Sequence, residues 1–178
     1  MILFCDTRQQ KGKHKLKEEY FESQGIEIVR TKLAFGDYQN PQNTNVVVDT
    51  KKDIQELIGD LTKDHERFRN ELLLSKKCGT KLVILIEDEK VTCVKDLYAW
   101  YNWRLKKSPK ATKGSTLAKM LTTIQDNTED YYCEFQFVKK VDCGAKILEI
   151  LFQKWYNKFG DNMKHLSDLS DYFKAIIL

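Results

Sequence analysis

The sequence predicts an α/β fold, a mixed central β-sheet flanked by α-helices. Three observations predict it. The run KLVILIE at residues 81–87 is short, almost wholly apolar and bounded by breakers, as a strand buried on both faces must be. Around it, short β-branched runs alternate with longer stretches whose apolar residues recur every three or four positions. That is the period of helices laid on a sheet. The chain has 178 residues, of which 42% are hydrophobic and 31% charged, so it can bury one real core and lacks the composition of a disordered chain.

The elements follow in order. Residues 2–5 read as an apolar first strand. A helix is expected over 13–23, with Leu16, Tyr20 and Phe21 on one side and Gly25 as its stop. Residues 26–31 alternate as a second strand, and 33–38 form a third. Turn chemistry in NPQNTN at 40–45 makes the third strand and a fourth at 46–51 a hairpin with a longer loop. Ile54, Leu57, Ile58 and Leu61 fall at i, i+3, i+4 and i+7. His65, Phe68 and Leu72 carry that stripe into a second helix over 63–77, ahead of the central strand. Val94, Leu97, Tyr98, Tyr101 and Leu105 share one face of a further helix, with Tyr98, Tyr101 and Trp100 expected in the core. After the loop KKSPKATKGS come a helix marked by Leu117, Met120, Leu121 and Ile124, and a strand at 132–138. A long helix carrying Ala145, Leu148, Phe152, Trp155 and Phe159, and a last helix at 166–177, complete a single domain over 1–178.

Charge and composition narrow the function. The net charge of +4 suits nucleic acid without demanding it, so the local placement of bases matters more than the sum. Lys106, Lys107, Lys110 and Lys113 make one basic loop, able to track a phosphate backbone or simply to face solvent. Lys11, Lys13, Lys15 and Lys17 stand in the same position. Trp103, in WYNWR, has the ring and the neighbouring base needed to stack on an unpaired base. The five cysteines form no Cys-x-x-Cys pair and the three histidines are scattered, which gives a zinc site little support. The first apolar run is too short for a signal sequence, and no run approaches membrane-spanning length. The reading is an intracellular protein with reduced thiols, in the cytoplasm, nucleoid or nucleus, with no membrane partner. No G-x-x-x-x-G-K-[ST] loop is present, so ATP hydrolysis is unsupported.

The chemistry sits in VVVDTKK, residues 46–52. Alternation along a strand puts Val47, Asp49 and Lys51 on one face. FGDY places Asp37 on the strand paired with it, so the hairpin brings Asp37 and Asp49 together. Converging carboxylates repel unless a cation lies between them. Such oxygen ligands suit Mg²⁺, which takes few carboxylates and keeps its waters. Lys51 beside them can hold or polarise a water, which gives the parts of a phosphodiester-hydrolysing site. An exposed turn acid and a strand-end ion pair is the structural alternative.

Several short stretches then carry a resemblance. LFCDTRQ, LAFGDY, VVVDTKK, HERFRNEL and KLVILIED occur in the order seen in the nuclease domain of XPF-type structure-specific endonucleases, within the PD-(D/E)xK superfamily. TKGSTLAKMLTTI, YYCEFQFVKK and CGAKILEIL resemble the remainder of that domain. The resemblance implies a restriction-endonuclease-like core, with residues 1–89 as the catalytic part and 90–178 as its helical and strand completion. It matches Asp37 to the acid of the GD motif, and Asp49 and Lys51 to the glutamate and lysine of ERK. It matches Asp6 to the acid after the first strand, Arg8 to the base beside it, Arg67 to the arginine of the second helix and Glu71 to a position that is often glutamine. Thr50 stands where ERK has arginine, and Gln55 where the family has an acid four residues after the lysine. The helix-hairpin-helix module often appended to this family has no counterpart expected here.

The resemblance implies a Mg²⁺- or Mn²⁺-dependent DNA endonuclease, acting in repair or recombination on branched, flap, junction or duplex DNA. Asp37 and Asp49 bind the ion with the Thr50 carbonyl as third ligand, Lys51 positions the water and Asp6 supports the site. Arg8 and Arg67 contact DNA, and Lys106, Lys107, Lys110 and Lys113 are further DNA-binding candidates on the basis of their charge alone. Structural roles stand beside these: Asp6 as a helix cap and Arg67 as the i, i+4 partner of Glu71. Two other functions stay open, a catalytically silent branched-DNA-binding module or partner subunit, and a restriction-like or resolvase-type nuclease. Pairing as a homodimer or heterodimer is equally open.

Overall fold

The computed structural model describes residues 1–9, 12 and 14–152. A six-stranded mixed sheet forms its centre, in the order β2-β1-β3-β4-β5-β6. The strands are β1 (Ile2–Asp6), β2 (Glu27–Thr31), β3 (Tyr38–Asn40), β4 (Asn43–Lys51), β5 (Lys81–Glu87) and β6 (Cys133–Val138). The helices are α1 (Lys15–Ser23), α2 (Ile54–Thr62), α3 (His65–Lys77), α4 (Gly114–Asp126) and α5 (Cys143–Leu151). β1 pairs parallel with β2 and antiparallel with β3, and β3 pairs antiparallel with β4. β4, β5 and β6 run parallel, with Val46 opposite Lys81 and Lys51 opposite Ile86. The expected mixed sheet flanked by helices is the fold observed.

Helices cover both faces, which is why β5 needs no polar alternation. On one face Val47, Leu82, Ile84 and Ile86 meet Ile54, Leu57, Phe68 and Leu72 of α2 and α3, with Leu117 and Leu121 of α4. On the other, Leu3, Val48, Val83 and Leu85 meet Phe21 of α1 and Ile147, Leu148 and Leu151 of α5. Asp49 and Lys51 therefore follow Val47 toward α2 and α3. Glu87, two residues beyond Leu85, faces α1.

Four expectations are corrected. The third strand is confined to Tyr38–Asn40, because Gly36 takes a positive φ of 69° and bends residues 33–37 out of the pleat. Its hairpin is tight: Asn40 pairs with Asn43, which leaves Pro41 and Gln42 to turn, and Asn40 Oδ1 accepts the Gln42 N–H at 2.9 Å. The helix expected over 94–105 is two 3₁₀ stretches, Val94–Tyr98 and Trp103–Lys106. The Asn102 side chain accepts the Arg104 N–H between them and starts the second one afresh. Tyr98 and Tyr101 are 58% and 59% exposed and lie outside the core, while Trp100 packs against it in part. Trp155, Phe159, the last helix at 166–177, Lys11 and Lys13 lie outside the described residues. No helix among the described residues is long and apolar enough to cross a membrane.

Candidate active site

A cleft of about 760 Å³ opens where β4 and β5 end, and Asp37, Asp49, Thr50, Lys51, Asp60 and Glu71 line it. Lys51 is the hub. It is 5% exposed, and its Nζ lies 2.6 Å from Asp49 Oδ2 and 2.7 Å from Asp60 Oδ2. At these distances both contacts are close ion pairs of a buried ammonium with two carboxylates. The ammonium also sits 5.7 Å from the Phe68 ring centroid, on the face a cation prefers. Asp60 comes from α2, and its Oδ1 accepts from Arg67 Nη2 of α3 at 2.6 Å. Arg67 Nη1 lies 3.7 Å from Glu71 Oε2, and Glu71 Oε1 accepts the Gly36 N–H at 2.8 Å. One chain of contacts thus runs from β4 through α2 and α3 back to the turn before Asp37.

That turn has little freedom. A Cβ on Gly36 would lie 2.3 Å from Val47 Cγ1 and 3.2 Å from the Val48 carbonyl, on a backbone already at positive φ. The next residue is held on both sides. The Asp37 N–H donates to Val48 O, and Asp37 O accepts the Asp6 N–H, each at 2.8 Å. The Asp37 carboxylate faces Thr50, whose N–H and hydroxyl donate to Oδ2 at 2.8 and 2.5 Å. Thr50, where the resembled motif has arginine, thereby orients an acid of the cleft.

Asp6 ends β1, the strand on the other side of β3 from β4. Its carboxylate accepts from Arg8 Nε at 2.8 Å, Arg8 Nη2 at 3.0 Å, the Arg8 N–H at 2.7 Å and the Leu33 N–H at 2.8 Å. Burial pushes this carboxyl up, but the Arg8 fork and the two N–H groups outweigh it and hold it below its ordinary value. Arg8 itself reaches the cleft with 60% of its side chain exposed.

Electrostatics set the cleft apart from an ordinary ion-pair network. Burial raises Asp37 above its ordinary value, against the Thr50 bonds. Burial also pushes Asp49 up to about 6, helped by the charges of Asp37 and Asp60 and opposed by Lys51. Glu71 is raised by burial and by Asp49. Burial favours the neutral amine of Lys51, but Asp49 and Asp60 more than compensate and keep it charged. Lys51 is therefore a fixed cation and not a proton acceptor. Asp37, Asp49, Asp60 and Glu71 bring four carboxylates into one cleft, where Lys51 and Arg67 make the close ion pairs among the described residues and Arg8 adds a cation at the rim. Oxygen donors gathered in this way suit a hard divalent cation. Among the described residues no three His, Cys, Asp or Glu side chains form a ready cage for an ion. The donor set fits an ion that takes few carboxylates and retains its waters.

Asp37, Asp49, Thr50, Lys51, Arg8 and Arg67 thus share one cleft, and Asp6 stands behind Arg8. Arg67, 61% exposed, spends its close contact on Asp60 and only a long one on Glu71. Lys106, at the end of the second 3₁₀ stretch, and Lys107, Lys110 and Lys113, in the turns that lead to α4, are exposed and do not line the cleft. Lys17 is no part of a basic face: it is buried against Glu87 at 2.7 Å, at the α1 side of the cleft. Sequence reasoning missed Asp60 and the Lys17–Glu87 pair. Each left a trace, since Asp60 falls three residues after Leu57 on the buried stripe and Lys17 four before Phe21.

The sequence profile of the ERCC4 domain matches residues 5–150. The chain belongs to the ERCC4-domain family. This is a nuclease family, and the match spans all six strands of the sheet except the first residues of β1. No curated protein sequence matches the chain. Among solved structures, XPF from Aeropyrum pernix superposes with a TM-score of 0.58 at 15% identity, over 86% of this chain and 61% of the archaeal one. XPF from the same organism in complex with DNA superposes with a TM-score of 0.59 at 12% identity, over 93% and 68%. At these identities the likeness is one of fold. The ERCC4-domain chain spans about three fifths of the first of these relatives.

Proposed function

We propose that this ERCC4-domain protein is a divalent-metal-dependent DNA endonuclease that hydrolyses phosphodiesters in branched, flap or junction DNA. One observation carries the reading: Asp37, Asp49 and Lys51 meet in one cleft rimmed by the exposed guanidinium groups of Arg8 and Arg67. DNA bound to XPF from Aeropyrum pernix supports DNA as the substrate class. The single domain is assigned over 1–178, with 1–89 as its catalytic part.

Asp37 and Asp49 would hold Mg²⁺ or Mn²⁺, with the Thr50 main-chain carbonyl as a third oxygen. Such an ion supplies a Lewis acid for the phosphoryl oxygen and lowers the pKa of water. Lys51, held charged, orients the attacking water by donation and offsets negative charge as the phosphate becomes five-coordinate. Asp60 and Asp49 together fix the ammonium. Arg8, through the Nη1 left over from its fork on Asp6, and Arg67, through the N–H groups not turned to Asp60, would donate singly to non-bridging phosphate oxygens. Asp6 acts through Arg8 as a positioning residue, and Glu71 acts through Gly36 on the turn that carries Asp37.

A cleavage assay on nicked, flap, four-way and linear duplex DNA tests this. The expected result is cutting of branched substrates with Mg²⁺ or Mn²⁺, none in EDTA, and a loss of at least about a hundredfold in Asp49→Asn. Binding of branched DNA without cutting in either metal would leave a silent DNA-binding module. Cutting set by base sequence and not by branching would leave a restriction-like enzyme.

A further inference from the structure

Of the four exposed aromatic side chains among the described residues, Tyr98, Tyr101 and Trp103 fall within one short segment, and Trp103 is 53% exposed. The segment is built and not loose. Asn102 is 1% exposed, and its Oδ1 accepts from Gln55 Nε2 and the Arg104 N–H, each at 3.0 Å. Its Nδ2 donates to Thr112 O at 2.8 Å, which closes the segment on itself. At its far end Gly114 lies so close that a Cβ would sit 2.1 Å from Leu97 O and 2.5 Å from Trp100 O. The rings are therefore held out to solvent by a fixed scaffold. Gln55, four residues after Lys51, ties that scaffold to α2, the helix that follows the cleft.

The charge is one-sided. Between Asp96 and Asp126 the sequence contains no acid, while Arg104, Lys106, Lys107, Lys110, Lys113 and Lys119 are basic. Arg104 Cζ and Lys107 Nζ lie 5.6 and 5.9 Å from the Trp103 ring centroid. An aromatic ring flanked by cations, in a segment that carries no acid of its own, matches a polyanion that also offers flat π-faces. Duplex DNA hides its base faces in the stack. An unpaired strand exposes them.

We infer that residues 98–113 form a stacking site for unpaired nucleic acid, with Trp103 as the platform for a base and Arg104 and the surrounding lysines as contacts to the adjoining phosphates. As the seat of the single-stranded arm of the proposed substrate, this site rests on the nuclease reading. As a binding site, it can be tested apart from it.

The test uses the full chain in EDTA, with anisotropy of labelled oligo-dT and of a blunt hairpin duplex, alongside quenching of tryptophan fluorescence. Oligo-dT is expected to quench the wild type, and Trp103→Ala to weaken oligo-dT binding about tenfold or more. Hairpin binding should stay within about twofold, and Trp103→Phe should keep most of the oligo-dT affinity because it retains a stacking ring. Equal oligo-dT affinity in wild type and Trp103→Ala overturns the proposal, as does a parallel loss for oligo-dT and hairpin. A change in self-association with oligo-dT affinity intact would make the patch a protein interface and also overturn it. Trp103-dependent binding in a protein that never cuts would sink the nuclease reading and leave this site standing.

Discussion

Two residues show how closely the cleft is determined. Gly36 combines a positive φ with a missing Cβ that Val47 would otherwise meet. Gly36→Ala is expected to cost about 2 kcal/mol or more in urea unfolding, because both strain and overlap must be relieved. A cost under about 0.5 kcal/mol would contradict the geometry. Asp49 carries a pH signature. Its pKa in the fold, about 6, lies above the ordinary 3.8, so its stabilising share is complete below about pH 4 and is lost as pH rises through 6. The full effect is on the order of 3 kcal/mol. In EDTA, the melting temperature of the wild type should fall from pH 5 to pH 8, and Asp49→Asn should flatten that fall. Parallel curves would place the burden on other groups. At this scale the sequence was partly legible. A GD and a D-x-K with strand spacing announce two acids and an amine. Asp60 hides, because an acid near an apolar stripe reads as surface until a buried cation is known to need it.

At the scale of elements, the cleft is a meeting of parts from both faces of the sheet. The alternation of β4 sends Lys51 to the α2–α3 side, and the same alternation in β5 sends Glu87 to α1. The Lys17–Glu87 pair, with each side chain 7% exposed, fixes α1 at the cleft's far wall. Lys17→Met alone should destabilise by about 3 kcal/mol, since it strands a buried carboxylate. Adding Glu87→Leu should restore most of that loss, because an apolar pair replaces the ionic one. A double variant no better than the single, measured by denaturant unfolding, would mean the pair does more than dock the helix. Period-based reading found the strands at 81–87 and 132–138 and the helix pair after β4, where burial writes a clean pattern. It failed over 94–105. The helical spacing there is real, but Asn102 interrupts the backbone ladder and the two tyrosines that complete the stripe face water. Spacing alone cannot tell a buried stripe from an exposed one.

At the scale of the molecule, the Gln55–Asn102 hydrogen bond ties the helix that follows the cleft to the aromatic and basic segment, and Leu97 packs in the same core as Ile54 and Leu57. In the resembled family an acid stands at that position, whereas here an amide serves as a structural tie. The fold class could be read from the chain because strand and helix periods are local properties. The network from Asp49 through Lys51, Asp60 and Arg67 to Glu71 could not, since it joins β4, α2 and α3 by tertiary contact. The proposed chemistry requires Asp37 and Asp49 to share one divalent ion in that network. Anomalous diffraction from a crystal soaked in Mn²⁺ tests this most directly. The predicted result is a manganese peak about 2.0–2.2 Å from a carboxylate oxygen of each of Asp37 and Asp49, absent in Asp49→Asn. A peak elsewhere, or no peak in a crystal whose cleft is open to solvent, would contradict it.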